Sequence, residues 1–156
     1  MKLGFSAKKD GFDCTKWHST VDDKGKTLVI IKTTQNFIFG GFTKNGWISG
    51  SNGRYISDSD AFIFSLRNDK NDRESQKFTV KQGEEGNAIY YHSNFGPIFG
   101  FGHDLYLKSD LKTGCTDFGW AYDTPNGITY DTDEAQSYLA GSYDSWIVDE
   151  VETYFI

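Results

Sequence analysis

Asn94-Phe95-Gly96-Pro97-Ile98-Phe99-Gly100-Phe101-Gly102-His103-Asp104-Leu105-Tyr106-Leu107 is the stretch whose reading decides the fold. It sets three glycines and one of the chain's two prolines among large apolar side chains, then passes into the alternation Asp104-Leu105-Tyr106-Leu107-Lys108. Glycine inside an apolar run sacrifices packing and backbone entropy, so its repetition marks a chain that bends, bulges or lets another backbone come close. Pro97 has no N–H for a ladder and belongs at a turn or an edge. The alternation that follows predicts a half-buried strand leaving a glycine corner. Phe37-Ile38-Phe39-Gly40-Gly41-Phe42-Thr43, with Trp47 just beyond, predicts a second corner of the same kind.

Composition sets the outer limits. A chain of 156 residues suits one domain, taken here as residues 1–156, and can bury roughly two-thirds of its unfolded surface without a staple. Only 37% of residues are hydrophobic while 17% are aromatic, so large rings carry much of the burial and favour strands. A net charge of −6 with scattered Lys and Arg disfavours a general nucleic-acid binder. Cys14 and Cys115 have no C-x-x-C spacing, which points to a reducing compartment. The start of the chain lacks the apolar core of a secretion signal, and no later window is apolar over about 18 residues, so the expectation is a cytoplasmic protein with no membrane insertion.

Along the chain, Cys14, Trp17 and Val21 fall at i, i+3 and i+7 behind Asp13, predicting a short capped helix with Gly25 as its stop. Thr27–Lys32 and Phe37–Phe42 read as an antiparallel hairpin. The segment 43–60 reads as a long loop plugged by Trp47. Strands follow at 61–67, 77–82 and 87–92. Beyond Lys108 a polar loop runs to Gly119, with a further short strand at Trp120-Ala121-Tyr122. An Asp131-x-x-Glu134 capping box predicts a helix of two or three turns ended by Gly141, and Trp146–Ile156 reads as the last strand.

Catalytic motifs are sparse. Gly50-Ser51-Asn52-Gly53 lacks the spacing of a nucleophile elbow, and Gly100-Phe101-Gly102 lacks the third glycine of a dinucleotide fingerprint, so no cofactor is expected. Two chemical alternatives stay open. One is a weak hydrolase or redox enzyme using His103 with Asp104, with His92 near in space, or using Cys14 and Cys115. The other is a calcium module using the oxygens of Asn68–Glu74 or Asp131–Glu134, although neither follows the EF-hand spacing.

Taken in order, Asp10-Gly11-Phe12 with Trp17-His18, Lys24-Gly25-Lys26-Thr27-Leu28, Phe39-Gly40-Gly41-Phe42 with Trp47, Asp60-Ala61-Phe62-Ile63-Phe64-Ser65-Leu66, Gly96-Pro97 with Phe99-Gly100, Gly102 and Asp104-Leu105, and the closing Leu139-Ala140-Gly141-Ser142 with Val148, Glu150, Val151, Glu152 and Phe155 resemble the TLDc domain family. That family includes the oxidation-resistance proteins and a nuclear receptor coactivator segment. The resemblance implies two antiparallel sheets packed as a β-sandwich with short peripheral helices. It also implies a non-enzymatic interaction domain in oxidative-stress protection, with the vacuolar proton-pumping ATPase a partner of some members. Gly40, Gly41, Trp47, Gly96, Gly100 and Gly102 are then structural, while Asp104, Glu150 and Glu152 are candidates for a partner surface or a buried polar network. Oligomeric state is left undecided.

Overall fold

The computed structural model describes residues 1–50, 52–68 and 74–156. It is mainly β. Strands β1 (Lys2–Ser6), β2 (Thr27–Thr33), β3 (Ile38–Thr43), β4 (Arg54–Ile56), β5 (Phe62–Arg67), β6 (Gln76–Thr79), β7 (Ile89–Tyr91), β8 (Ile98–Phe99), β9 (Leu105–Leu107), β10 (Thr113–Cys115) and β11 (Trp146–Phe155) are joined by helices α1 (Ala7–Asp10), α2 (Cys14–Val21) and α3 (Asp133–Ser137). All ladders are antiparallel and form one 11-stranded sheet, order β4-β7-β8-β9-β10-β11-β2-β3-β5-β6, with β1 on β11.

The two separate sheets expected from the resemblance are not what the pairing gives, because β11 is long enough to serve both. Its first residues, Trp146 and Ile147, pair with β10, while Val148 to Phe155 pair with β2. A bulge between Val148 and Glu150 adds twist there and puts Asp149 and Glu150 together. The larger ladder is β1-β11-β2-β3-β5-β6 and the smaller is β4-β7-β8-β9-β10, and the open sheet folds so that Phe99 of β8 lies over Gly41 of β3.

Burial alternates along β2: Val29 and Ile31 face inward while Leu28, Ile30 and Lys32 face outward, as a pleated strand requires. The inner side is filled by Phe5, Trp17, Phe39, Trp47, Ile63, Phe99 and Trp146, all nearly or completely buried. Each such side chain contributes roughly 1.5–3 kcal/mol relative to exposure. Two of the three buried indoles find a partner for their N–H in inward threonines: Trp17 Nε1 donates to Thr153 Oγ1 at 2.9 Å and Trp47 Nε1 to Thr27 Oγ1 at 3.1 Å. Trp47 is therefore a core plug, 1% exposed.

Several local expectations shift. Asp13 does cap α2, accepting from Thr15 N, but the helix ends before Gly25, where Asp23 adopts the left-handed conformation. The 43–60 loop contains β4, and its turn is pinned by buried Asp58, which accepts from Thr43 Oγ1, Lys44 N and Asn45 N. The loop after Lys108 contains β10. Trp120–Tyr122 is not a strand; only a single bridge links Tyr122 to Val80. Thr132, not Asp131, caps α3, since Asp131 has a φ of 62° and Thr132 Oγ1 accepts from Ala135 N. At five residues α3 is shorter than the pattern suggested.

Candidate interaction surfaces and polar networks

The corner that follows β8 is built around one carboxylate. Gly100 and Gly102 take φ of 89° and 79°, angles glycine adopts without strain, and this turns Asp104 inward. Asp104 is completely buried and accepts from Gly119 N at 2.9 Å, Ala121 N at 3.0 Å and Tyr122 N at 3.2 Å. It thereby ties the β8–β9 corner to the loop 119–122. Burial pushes its carboxyl up to about 7, opposed by those same N–H groups. Gly96 is packed differently: a side chain there would meet Leu111 at 2.6 Å and Leu107 at 2.9 Å.

His103 and Asp104 do not form a dyad. The Asp104 oxygens are directed at backbone N–H groups, whereas the His103 ring packs on Tyr90 and Tyr106, with centroids 5.7 and 5.1 Å away. Burial lowers the His103 pKa, with Asp117 acting in the opposite sense. His92 also packs on Tyr90. Neither thiol is activated: burial, then Asp13, raises Cys14, and burial, then Asp117, raises Cys115. Among the described residues, no group of three or more His, Cys, Asp or Glu could hold a metal ion. Of the two calcium candidates, most of Asn68–Glu74 lies outside the described residues, and in the other Asp133 and Glu134 open α3.

A buried network that the sequence reading passed over lies on α2. His18 Nε2 donates toward the carbonyls of Phe95 and His92 at 2.7 and 3.1 Å, and Nδ1 sits 2.8 Å from Asp22 Oδ1. Asp22 Oδ2 accepts from the Tyr91 hydroxyl at 2.7 Å, and burial, then this contact, raises that hydroxyl's pKa. With Nε2 committed as donor to carbonyls, a proton lies on the Nδ1···Oδ1 line. The i, i+4 spacing of His18 and Asp22 on a predicted helix was the available signal. The network fastens α2 to the loop between β7 and β8.

Glu150 and Glu152 line one outward cleft but serve different partners. Glu150 accepts from Ser6 Oγ at 3.0 Å and Lys8 N at 3.1 Å, holding α1 against the sheet. Glu152 accepts from the Tyr154 hydroxyl at 2.7 Å and lines an outward cleft with Ile30, Lys32 and Ile38. Its neighbours continue the outer side of the larger ladder. Leu28 pairs with Phe42 and Phe42 with Phe62, while Gly40 pairs with Phe64. Leu28, Phe62, Phe64 and Leu66 line a second cleft of about 320 Å³, and Leu66 is 49% exposed. Lys77 Nζ stands 4.2 Å over the Phe62 ring. The signal for this apolar outer face was present in Phe62-Ile63-Phe64-Ser65-Leu66, where apolar residues occupy both parities of one strand.

No helix among the described residues is long and apolar enough to cross a membrane. No curated protein matches the chain. The TLDc domain family's profile matches residues 1–156, the whole chain. The ordered motifs are spread from α1 to the closing strand and the match runs end to end; the chain belongs to the TLDc domain family.

Proposed function

We propose that this chain is a non-enzymatic, intracellular interaction module that protects against oxidative damage by binding another protein, the vacuolar proton-pumping ATPase being the partner that the family resemblance favours. The observation that carries the reading is the outer face of the larger ladder. Leu28, Ile30, Ile38, Phe42 and Phe62 are only half-buried there and Leu66 is exposed, with Lys8, Lys32, Glu150 and Glu152 at one end. A sheet face of this kind gains by being covered, and an apolar centre beside charged residues has the layout of a protein interface.

The test uses the purified peripheral sector of the vacuolar ATPase. Wild-type chain is expected to co-purify with it. Leu66→Asp, a change at an exposed site, should reduce recovery roughly tenfold with an unaltered melting temperature. No recovery of the sector by wild type, or equal recovery by the variant, overturns the proposal.

A further inference from the structure

Phe101 and Trp120 are each 41% exposed, unusual for rings this large. They belong to a file of aromatics on the side of the molecule formed by the smaller ladder. Tyr55 of β4 is 5.4 Å from Phe101, Phe101 is 5.4 Å from Trp120, and Trp120 is 5.0 Å from Tyr130, centroid to centroid. The file crosses the Gly100–Gly102 corner, so the turn that buries Asp104 also raises Phe101 to the surface. At its far end Trp120 and Tyr130 line a cleft of about 380 Å³ with Lys81, Gln82 and Glu84.

Carboxylates outnumber cations around this ledge. The cation in the cleft wall, Lys81, keeps its charge while its Nζ donates to the Gly119 carbonyl. Glu84 stands in the cleft wall, and the exposed Asp131 adjoins Tyr130. The Tyr130 hydroxyl is made harder to ionise, first by burial and then by Asp117, Asp131 and Asp104, which places these carboxylates within electrostatic reach of that end. Ring faces carry negative charge density, and a cation over an indole is attracted by it; nearby carboxylates add to the attraction. A guanidinium suits such a place best, because it stacks flat on an aromatic face while its N–H groups reach sideways to carboxylates. A neutral sugar would also stack on the rings but would draw nothing from the acidic surroundings.

We propose that this aromatic ledge is a docking site for a basic segment of a protein partner, an arginine side chain lying over Trp120 with its charge facing Glu84 and Asp131. The site is on a different face from the outer side of the larger ladder, so it succeeds or fails independently of the reading above.

Trp120 makes the test direct, since the chain's other tryptophans, Trp17, Trp47 and Trp146, are 0%, 1% and 4% exposed. With 5-fluorotryptophan incorporated into the full chain, a synthetic peptide alternating arginine and glycine should shift the Trp120 fluorine resonance and leave the other three in place. By anisotropy of the labelled peptide, replacing its arginines with citrulline should weaken binding about tenfold. Glu84→Gln combined with Asp131→Asn should weaken it about fivefold, and added salt should do the same. Trp120→Phe should retain most binding and Trp120→Ala lose it, with matching thermal melts showing both variants folded. Equal affinity for the citrulline peptide, indifference to the double substitution, or a Trp120 shift caused by a β-glucan hexasaccharide and not by the arginine peptide would each overturn the proposal.

Discussion

Gly40 and Gly41 in β3 and Gly100 and Gly102 after β8 are glycine for different reasons. In β3 the need is space. A Cβ on Gly40 would lie 1.9 Å from the Val29 carbonyl oxygen and 2.8 Å from the Phe64 ring, while one on Gly41 would lie 2.5 Å from the Phe99 ring. Adjacent residues of a strand point to opposite faces, so Gly40 lets Phe64 cover the outer side and Gly41 lets Phe99 press on the inner side. At the later corner the need is backbone angle. Gly102 has a φ of 79° and nothing closer to its imagined Cβ than 3.7 Å. Gly100 combines both demands, with a φ of 89° and Asp104 Oδ1 only 2.0 Å from its imagined Cβ. A packing glycine fails by collision with fixed neighbours, whereas a turn glycine fails only by the strain of a left-handed side chain.

Substitution would break or sharpen that contrast. The largest loss is expected for Gly40→Ala, because the nearest atom is a ladder carbonyl that cannot move without the strand: about 3 kcal/mol, read as a lowered urea midpoint at constant slope. Asp104→Asn comes next. It turns an amide N–H₂ toward backbone donors that need an acceptor, for about 2 kcal/mol. The same carboxyl gives a pH signature. It titrates at about 7 when folded against 3.8 otherwise, so between those values the folded chain holds a proton that the unfolded chain has released. The stability it contributes is greatest on the acid side of that window and is lost as pH rises through about 7, a slope that Asp104→Asn should remove. Gly102→Ala should cost least, about 1 kcal/mol, the strain of one left-handed residue that meets Trp120 and Tyr130 only at ordinary contact distance. If Gly40→Ala and Gly102→Ala prove equally costly, the two corners do not differ as described.

Much of the β arrangement was legible because the strands carry their pattern locally. β-branched residues fill Thr27–Lys32; Asp13 followed by Cys14, Trp17 and Val21 marks a helix whatever surrounds it. The strands that escaped notice are β1, β4, β8 and β10. β1 is held only by its pairing with the far end of the chain, Lys2 opposite Phe155. The other three are two or three residues long and owe their existence to neighbours: Arg54 to Ile56 pair with β7, Ile98 and Phe99 with β9, and Thr113 and Gly114 with β11. Too short to alternate, β4, β8 and β10 give no local signal. The polar networks were hidden for the same reason. Asp104 stood out by position beside glycines, but the donors it serves are at Gly119, Ala121 and Tyr122, and nothing in those residue types announces a buried acceptor elsewhere. His18 reaches carbonyls at residues 92 and 95, and a backbone oxygen has no residue type to read. The aromatic ledge likewise joins Tyr55, Phe101, Trp120 and Tyr130 from four separate segments.

The sequence alone determined the β-rich class, the ordered motifs that mark the family, the places where the backbone must bend, and the rings available for burial, since each depends on residues adjacent in the chain. Only the tertiary structure decided that one long closing strand joins both ladders into a single sheet, that Gly41 accommodates Phe99, that His103 and Asp104 turn apart, and which apolar residues are left uncovered. Those outcomes depend on contacts between residues far apart in the chain, where close packing selects among arrangements that local pattern leaves equally open.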